Sequence, residues 1–338
     1  DSSIRKKIKL NFETRNDFEK FILDLLTEQI PTTFLEGFKN LCDEVEKSNM
    51  PSKPKYIIGS VFLWYETLNM LFAATKIENY KSKLIYIQHG SEYGTTKIDY
   101  ADKHEINVSD YFLTWGWNIN DNKKVLPIGI VKPIASIKKI DRKKNKKILI
   151  ILRSTNKFHR LSSTLCGTRD WENYLEDNLQ IPLHLDKNIR KELIIRFGPS
   201  QKKWECEQWN KQYPDLIKKD LTSCKMIDLL KKTKLAITDN STSFQELLSA
   251  DFPVLMLMKF DSTIIKDSIK PIYDDLLNVN ILFQDPKILS QHINSIWKNL
   301  DEWWNKPDVK NARTNFSKSF ANYDPNLTSQ IYNFIKNI

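Results

Sequence analysis

An α/β chain of two Rossmann-like domains, with strand ends turned toward a shared cleft, is the fold class this sequence predicts. Three observations carry it. Short apolar, β-branched runs alternate with helical periodicities through most of the 338 residues, as parallel doubly wound sheets require. Two of these runs stop abruptly in polar turns suited to a ligand, one at Gln88-His89-Gly90 and one at Asp239-Asn240-Ser241-Thr242-Ser243. Between the halves lies a lysine-rich stretch, residues 136–147, that reads as a linker.

Taken in order, residues 1–50 read as helices. Phe18, Phe21, Ile22, Leu25 and Leu26 recur at helical spacing, and Phe34, Phe38 and Leu41 come after Pro31. Residues 55–60 read as a short strand, 65–77 as an amphipathic helix and 84–88 as the next strand. A third strand over 111–115 ends in Trp115-Gly116-Trp117, and 125–129 supplies a fourth. The second series opens at 147–152 and runs into a donor-rich loop with Arg153 and Arg160. Further strands lie at 192–197, which contains Arg196, and at 235–238, 254–258 and 281–283, before helices that continue to the end. The expected domains are 1–135 and 148–320 around a linker at 136–147, with 321–338 a helix packing back on the first domain. No internal repeat or low-complexity segment is present. The first domain is short for this class and the chain opens at Asp1, so upstream sequence is expected.

Composition narrows the function classes. Hydrophobic content of 41% and aromatic content of 11% indicate a folded globular chain. The longest apolar runs, 147–152 and 253–258, fall far short of the roughly 18–20 residues that cross a bilayer. No apolar segment of signal-peptide type comes after the N-terminal charges. Cys42, Cys166, Cys206 and Cys224 are scattered, without the spacing of a zinc site or disulfide frame, and read as reduced thiols in a cytoplasmic protein. The net charge of +10, largely lysine, favours anionic partners such as nucleotides, acidic glycans or an anionic membrane surface. No nucleic-acid-binding signature is present.

The run Leu84-Ile85-Tyr86-Ile87-Gln88-His89-Gly90-Ser91-Glu92-Tyr93-Gly94 is the most informative stretch. Ligands in open α/β sheets sit beyond the carboxyl ends of strands. His89 is therefore placed where an imidazole can act as a base, and Gly90 lets the backbone approach a ligand closely. The alternative is a strand-end histidine bonded to a neighbouring loop. In the second half, residues 235–257 read as one βαβ unit. Asp239 or Asn240 can cap its helix, and the hydroxyls of Ser241, Thr242 and Ser243 sit over the first turn beside unpaired N–H groups and the positive end of the dipole. That arrangement suits a phosphate. Plain capping accounts for one hydroxyl but poorly for three. Glu246 lies one turn on, where it either receives a ribose or faces solvent. Two such sheets give the layout of GT-B-type glycosyltransferases. The absence of any D-x-D triplet argues against a metal-dependent single-domain transferase and for a phosphate neutralised by dipole, hydroxyls and arginine.

Gln88-His89-Gly90 with Tyr93-Gly94, then Glu105, Ser109-Asp110 and Thr114-Trp115-Gly116-Trp117, resemble a family of bacterial surface-polysaccharide transferases first described in spirochaetes and found in O-antigen and related loci. The resemblance extends to Asn240-Ser241-Thr242-Ser243, Glu246, the Asp251-Phe252-Pro253 turn, and a tail of Trp303-Trp304, Asn311, Arg313 and Phe316. It is specific in motif order and covers nearly the whole chain. A more distant likeness links the two turns to polyol-phosphate transferases that use cytidine diphosphate donors, and to transferases of Kdo and sialic-acid-like sugars. The His-Pro dipeptide of several such relatives is absent, with Arg196-Phe197-Gly198-Pro199 near its place. The resemblance implies a nucleotide-sugar donor, a glycan or lipid-linked glycan acceptor, and no cofactor or metal. It implies His89 as base, with Glu105 or Asp110 as orienting partner or as the base itself. Arg153, Arg160, Arg196, Asn240, Ser241, Thr242, Ser243 and Glu246 would face the donor. Gly90, Tyr93, Trp115 and Trp117 would face the acceptor, although packing is the competing role for at least one indole. The rival readings are a phosphotransferase acting on a cytidine diphosphate alcohol and a non-catalytic glycan-binding domain.

Overall fold

The computed structural model describes residues 2–8, 12–97, 100–153, 168–198, 204–216, 224–259 and 265–338. Arg160, Cys166 and Pro199 lie outside the described residues. The chain divides into two compact units, residues 1–85 and 86–338.

The first unit is mostly helical, with helices at Asp17–Gln29, Phe38–Lys47 and Thr67–Tyr80. Its one complete strand, β1 (Tyr56–Gly59), lies beside the start of β2 (Lys83–Ile87), where the Lys83 N–H donates to the Lys55 carbonyl at 2.9 Å. Arg5 fastens the N-terminal helices. Its guanidinium meets both Glu36 carboxylate oxygens and donates to the carbonyls of Thr27, Glu28 and Ile30 at the end of the Asp17–Gln29 helix. Asn16 caps that helix through the Glu19 N–H. The apolar stripe read from Phe18 to Leu26 is there, yet no residue of that helix is buried and Phe18 is 70% exposed.

The second unit carries the end of β2, then β3 (Tyr111–Thr114) and β4 (Val125–Pro127), which pair in parallel. A separate five-stranded sheet comes next: β5 (Lys147–Ile151), β6 (Leu193–Arg196), β7 (Thr233–Thr238), β8 (Val254–Leu257) and β9 (Leu282–Phe283), in the order β6-β5-β7-β8-β9, every pair parallel. Helices cover both faces of such a sheet, so its strands read as unbroken apolar runs. Ile148, Leu149, Ile150, Leu235, Ala236, Ile237, Val254, Leu255 and Met256 are accordingly buried. Each large side chain of this kind contributes about 1.5–3 kcal/mol on burial. The reversal of order beside β5, with β6 on one flank and β7 on the other, opens the crevice in which a doubly wound sheet binds ligands. The fold is thus α/β with two Rossmann-like sheets.

Two sequence motifs prove to be packing devices. Asp251 takes a left-handed backbone, φ +59°, in the turn before β8, and its carboxylate receives both Trp304 Nε1 at 3.0 Å and Arg313 Nη2 at 2.9 Å. The Arg313 guanidinium also donates to the Trp304 carbonyl and lies 4.4 Å from the centroid of that indole. Phe316, on the Pro307–Phe320 helix, packs edge-on against Phe244 and Tyr273. The tail then returns to the first sheet: the Asn322 N–H donates to the Trp115 carbonyl and the Asn322 carbonyl receives the Ile130 N–H, at 2.7 and 2.8 Å. Tyr111 meets Phe334 edge-on at 5.1 Å. No described helix is long and apolar enough to cross a membrane.

Gly116 makes this return testable. Its φ is +139°, and a Cβ there would collide with the Lys318 carbonyl oxygen and press on that of Ser319 at 3.1 Å. Gly116→Ala should cost about 2 kcal/mol or more through overpacking and backbone strain. Calorimetry should show the melting temperature down by about 4–8 °C. An unchanged value would place the tail elsewhere.

Candidate functional site

The site begins with Gln88, the buried residue that ends β2. Its Oε1 receives the Trp115 N–H at 2.9 Å and Trp117 Nε1 at 2.8 Å, and its Nε2 donates to the Gly90 carbonyl at 2.8 Å. One amide thus fixes the loop that presents His89. Trp115 and Trp117 are both buried beneath that loop, and Trp117 packs against Gly94, where φ is +73° and a Cβ would sit 2.5 Å from the indole. His89 is half-buried. Its Nδ1 lies 2.8 Å from the hydroxyl of buried Tyr93, which in turn lies 3.1 Å from Glu105 Oε1. Tyr93 stands edge-on to the imidazole and stacks on Phe112. Glu105 is fully buried on the helix Tyr100–Val108, and nearby Tyr86 has its phenol pushed up, first by burial and then by the Glu105 charge. Asp110 precedes β3, at the far end of that strand from the His89 loop, so the structure unites His89 with Glu105 and not with Asp110.

The loop next meets the start of the Thr242–Ser249 helix. The Ser91 N–H donates to Thr242 Oγ1 at 3.1 Å and Ser91 Oγ to the Asn240 carbonyl at 3.2 Å. A Cβ on Gly90 would lie 3.1 Å from Thr242 Oγ1, which explains the glycine. Arg153, just past β5, ties the two parts together. Its Nε meets Asp239 Oδ2 at 2.6 Å, its Nη1 meets Glu92 at 3.1 Å, and its Nη2 reaches the Asn240 carbonyl at 3.3 Å. Glu92 takes φ +79° to make its contact, a strained backbone held by the surrounding loop.

This arrangement corrects the capping expected from the sequence. The helix starts at Thr242, its N-cap is Ser241, and no side chain among the described residues caps it. Asp239 is taken by Arg153, Asn240 Oδ1 by the Tyr273 hydroxyl at 3.3 Å, and Ser241 Oγ by Thr238 Oγ1 at 2.9 Å. The first N–H groups of an α-helix have no acceptor within it. Here they open on a cavity of about 430 Å³ lined by Ser91, Glu92, Arg153, Arg196, Ser241, Thr242 and Ser243 among others. Arg196 ends β6. Its Nη2 makes only a long 3.5 Å contact to the Cys224 carbonyl, and its Nε is buried without a partner among the described residues. An uncapped helix start facing a half-satisfied guanidinium has the chemistry that suits an anion.

Glu246 is not in the cavity lining. It sits one turn along, 4.0 Å from Lys132 Nζ, and burial raises its carboxyl above the usual range despite that lysine. Sequence reading missed Ser91, Glu92 and Lys132. The one available signal was that Ser91 and Glu92 stand between the glycines of the His89 loop.

The raised Glu246 carboxyl gives a signed stability prediction. Below the unfolded value, about 4.3, the group is protonated in both states. As pH rises through the higher folded value, ionisation costs the native state progressively more. Glu246→Gln should therefore match the wild type near pH 4 and melt about 1–3 °C higher at pH 7. A variant less stable at pH 7 than at pH 4, relative to wild type, would contradict the burial.

Comparison with solved structures supports the fold. A Listeria monocytogenes structure assigned as a UDP-N-acetylglucosamine 2-epimerase aligns with a TM-score of 0.52 at 12% identity, over 97% of this chain and 82% of that one. A co-structure of S. aureus MnaA with UDP gives 0.49 at 13% identity, over 98% and 82%. The wall teichoic acid polymerase TagF with CDPG gives 0.43 at 13%, over 76% and 67%. The first is enough to place the two-sheet α/β fold, and identities this low speak to fold alone. No curated protein matches the sequence. The family model that does match spans residues 1–335, and by it the chain belongs to the LIC12162 family of transferases.

Proposed function

We propose that this transferase moves a sugar from a nucleotide donor to a growing bacterial surface glycan, with inversion and without a metal ion. The observation that carries the reading is the uncapped start of the Thr242–Ser249 helix, opening beside Arg196 into a cavity whose other wall is the His89 loop. The donor phosphate sits at the N–H groups of Thr242 and Ser243, with Arg196 and the Ser241 and Ser243 hydroxyls around it. Glu246, one turn along the same helix and outside the cavity lining, meets only a ribose that extends past the phosphate. Asn240 and Arg153 shape the turn. The fold itself serves other chemistry too, so the argument rests on these residues.

The reaction balances simply. His89 accepts the proton of the acceptor hydroxyl as its oxygen attacks the anomeric carbon. The bond from that carbon to the donor phosphate breaks, and its electron pair leaves with the phosphate, whose growing charge meets the helix dipole and Arg196. Glu105 supports the base from beneath. The acceptor approaches along the His89 loop, which buried Tyr93, Trp115 and Trp117 support from beneath instead of facing the acceptor themselves. The net charge of +10 suits a cytoplasmic protein working at an anionic membrane surface on a lipid-linked acceptor.

Two sets of variants separate the roles. Losing a charge-assisted hydrogen bond costs about 1.5–3 kcal/mol. Arg196→Met and Ser241→Ala should therefore each weaken nucleotide binding about tenfold or more by calorimetry. His89→Ala should lower transfer by roughly 10²–10⁴-fold while nucleotide affinity holds. Product analysis should show free nucleotide and a glycosylated acceptor. A phosphorylated acceptor would mark a phosphotransferase, and normal turnover in His89→Ala would remove the base.

A further inference from the structure

We infer that Tyr93 is a positioning residue, through which buried Glu105 fixes the His89 ring with its proton on Nδ1 and its lone pair on Nε2. The inference rests on the reading of His89 as base and adds which nitrogen does the work. The geometry comes first. The Tyr93 hydroxyl lies within hydrogen-bond distance of both His89 Nδ1, at 2.8 Å, and Glu105 Oε1, at 3.1 Å. A carboxylate only accepts, and a phenol has a single proton to give. That proton points to Glu105 Oε1, and the phenol oxygen is left as an acceptor for the imidazole. The neutral ring must then carry its proton on Nδ1. Nε2 keeps the lone pair that an incoming hydroxyl needs.

The surroundings hold this chain of donors in one direction. Tyr93 is 3% exposed and Glu105 0%, so water does not compete for either group. The ring of Tyr93 is wedged between the His89 edge, at 5.1 Å, and Phe112, at 5.9 Å. The Gln88 amide fixes the backbone on which His89 stands. When His89 takes up a proton at Nε2, the imidazolium is bonded through Tyr93 to the Glu105 charge. A carboxylate bonded directly to a catalytic imidazole does the same for a serine nucleophile, and there the wrong tautomer is severely damaging. Here a hydroxyl stands between the two groups. Twelve residues separate Tyr93 from Glu105 in sequence, so the relay exists only in the folded chain.

The test reads the tautomer directly. In the full chain labelled with ¹⁵N-histidine, at a pH where the ring is neutral, long-range proton–nitrogen correlation distinguishes the two nitrogens, and His89→Asn identifies the signal by its loss. The expected result is a protonated Nδ1 and an unprotonated Nε2. Tyr93→Phe and Glu105→Gln should move the proton toward Nε2 and lower transfer by roughly 10²-fold or more, with nucleotide affinity unchanged. A wild-type ring protonated on Nε2 overturns the relay, as does a Tyr93→Phe protein with unchanged tautomer and rate. If Tyr93→Phe does not fold, the wild-type spectrum alone decides. The tautomer is read without substrate, so its failure is distinct from failure of the base assignment, which the His89→Ala rate decides.

Discussion

The guanidinium of Arg153 is the contact on which the site depends. It sits just past β5 and holds three acceptors from two stretches of chain far apart in sequence, Glu92 on one side and Asp239 and the Asn240 carbonyl on the other. The charged side chains of Arg153, Glu92 and Asp239 are largely shielded, at 17%, 23% and 6% exposed. Charges taken out of water in this way are tolerated only when geometry and hydrogen bonding are complete. The rigid fork of arginine meets that demand where a lysine would not. Remove this cation, and two carboxylates are left facing each other across the junction of the His89 loop and the end of β7.

That clamp leaves the neighbouring helix unfinished. Asp239 would serve well as a cap, but Arg153 has taken it, and the hydroxyl at the cap position turns to Thr238 instead. Helix-start N–H groups are met in folded proteins by side chains, by water or by a ligand. Arg196 repeats the pattern from β6, with a buried Nε that has no partner among the described residues. Donors left unmet at the end of β6 and after β7, the two strands that flank β5, face one cavity. On the proposed function the site is preorganised for the donor's negative charge, and no side chain has to leave a capping bond before a phosphate can enter.

The sheets are legible in the sequence because strands buried on both faces leave unbroken apolar runs: residues 84–88 and 254–258 read as strands, and β2 and β8 lie at Lys83–Ile87 and Val254–Leu257. The helix Tyr100–Val108 is not legible, since it turns Asp102 and Glu105 inward and so shows no apolar stripe. Glu105 can be suspected as a partner of His89, but not the tyrosine between them. Capping misleads for a related reason. Local rules favour Asp239 and Asn240 as caps, and tertiary partners, Arg153 and Tyr273, claim them both. Gly116 and the Trp303-Trp304 and Arg313 motif stand out as unusual residues, and only the folded chain shows that they seat the tail against the turn before β8 and the end of β3.

Under the proposed function, the cavity recognises phosphate before anything else. Calorimetric titration of the wild-type chain with a nucleoside, its monophosphate and its diphosphate, at low and high salt, tests this most directly. Affinity should rise with each phosphate, with a diphosphate bound at least about tenfold more tightly than the nucleoside, and should weaken with salt. Equal affinities across the series, insensitive to salt, would contradict it.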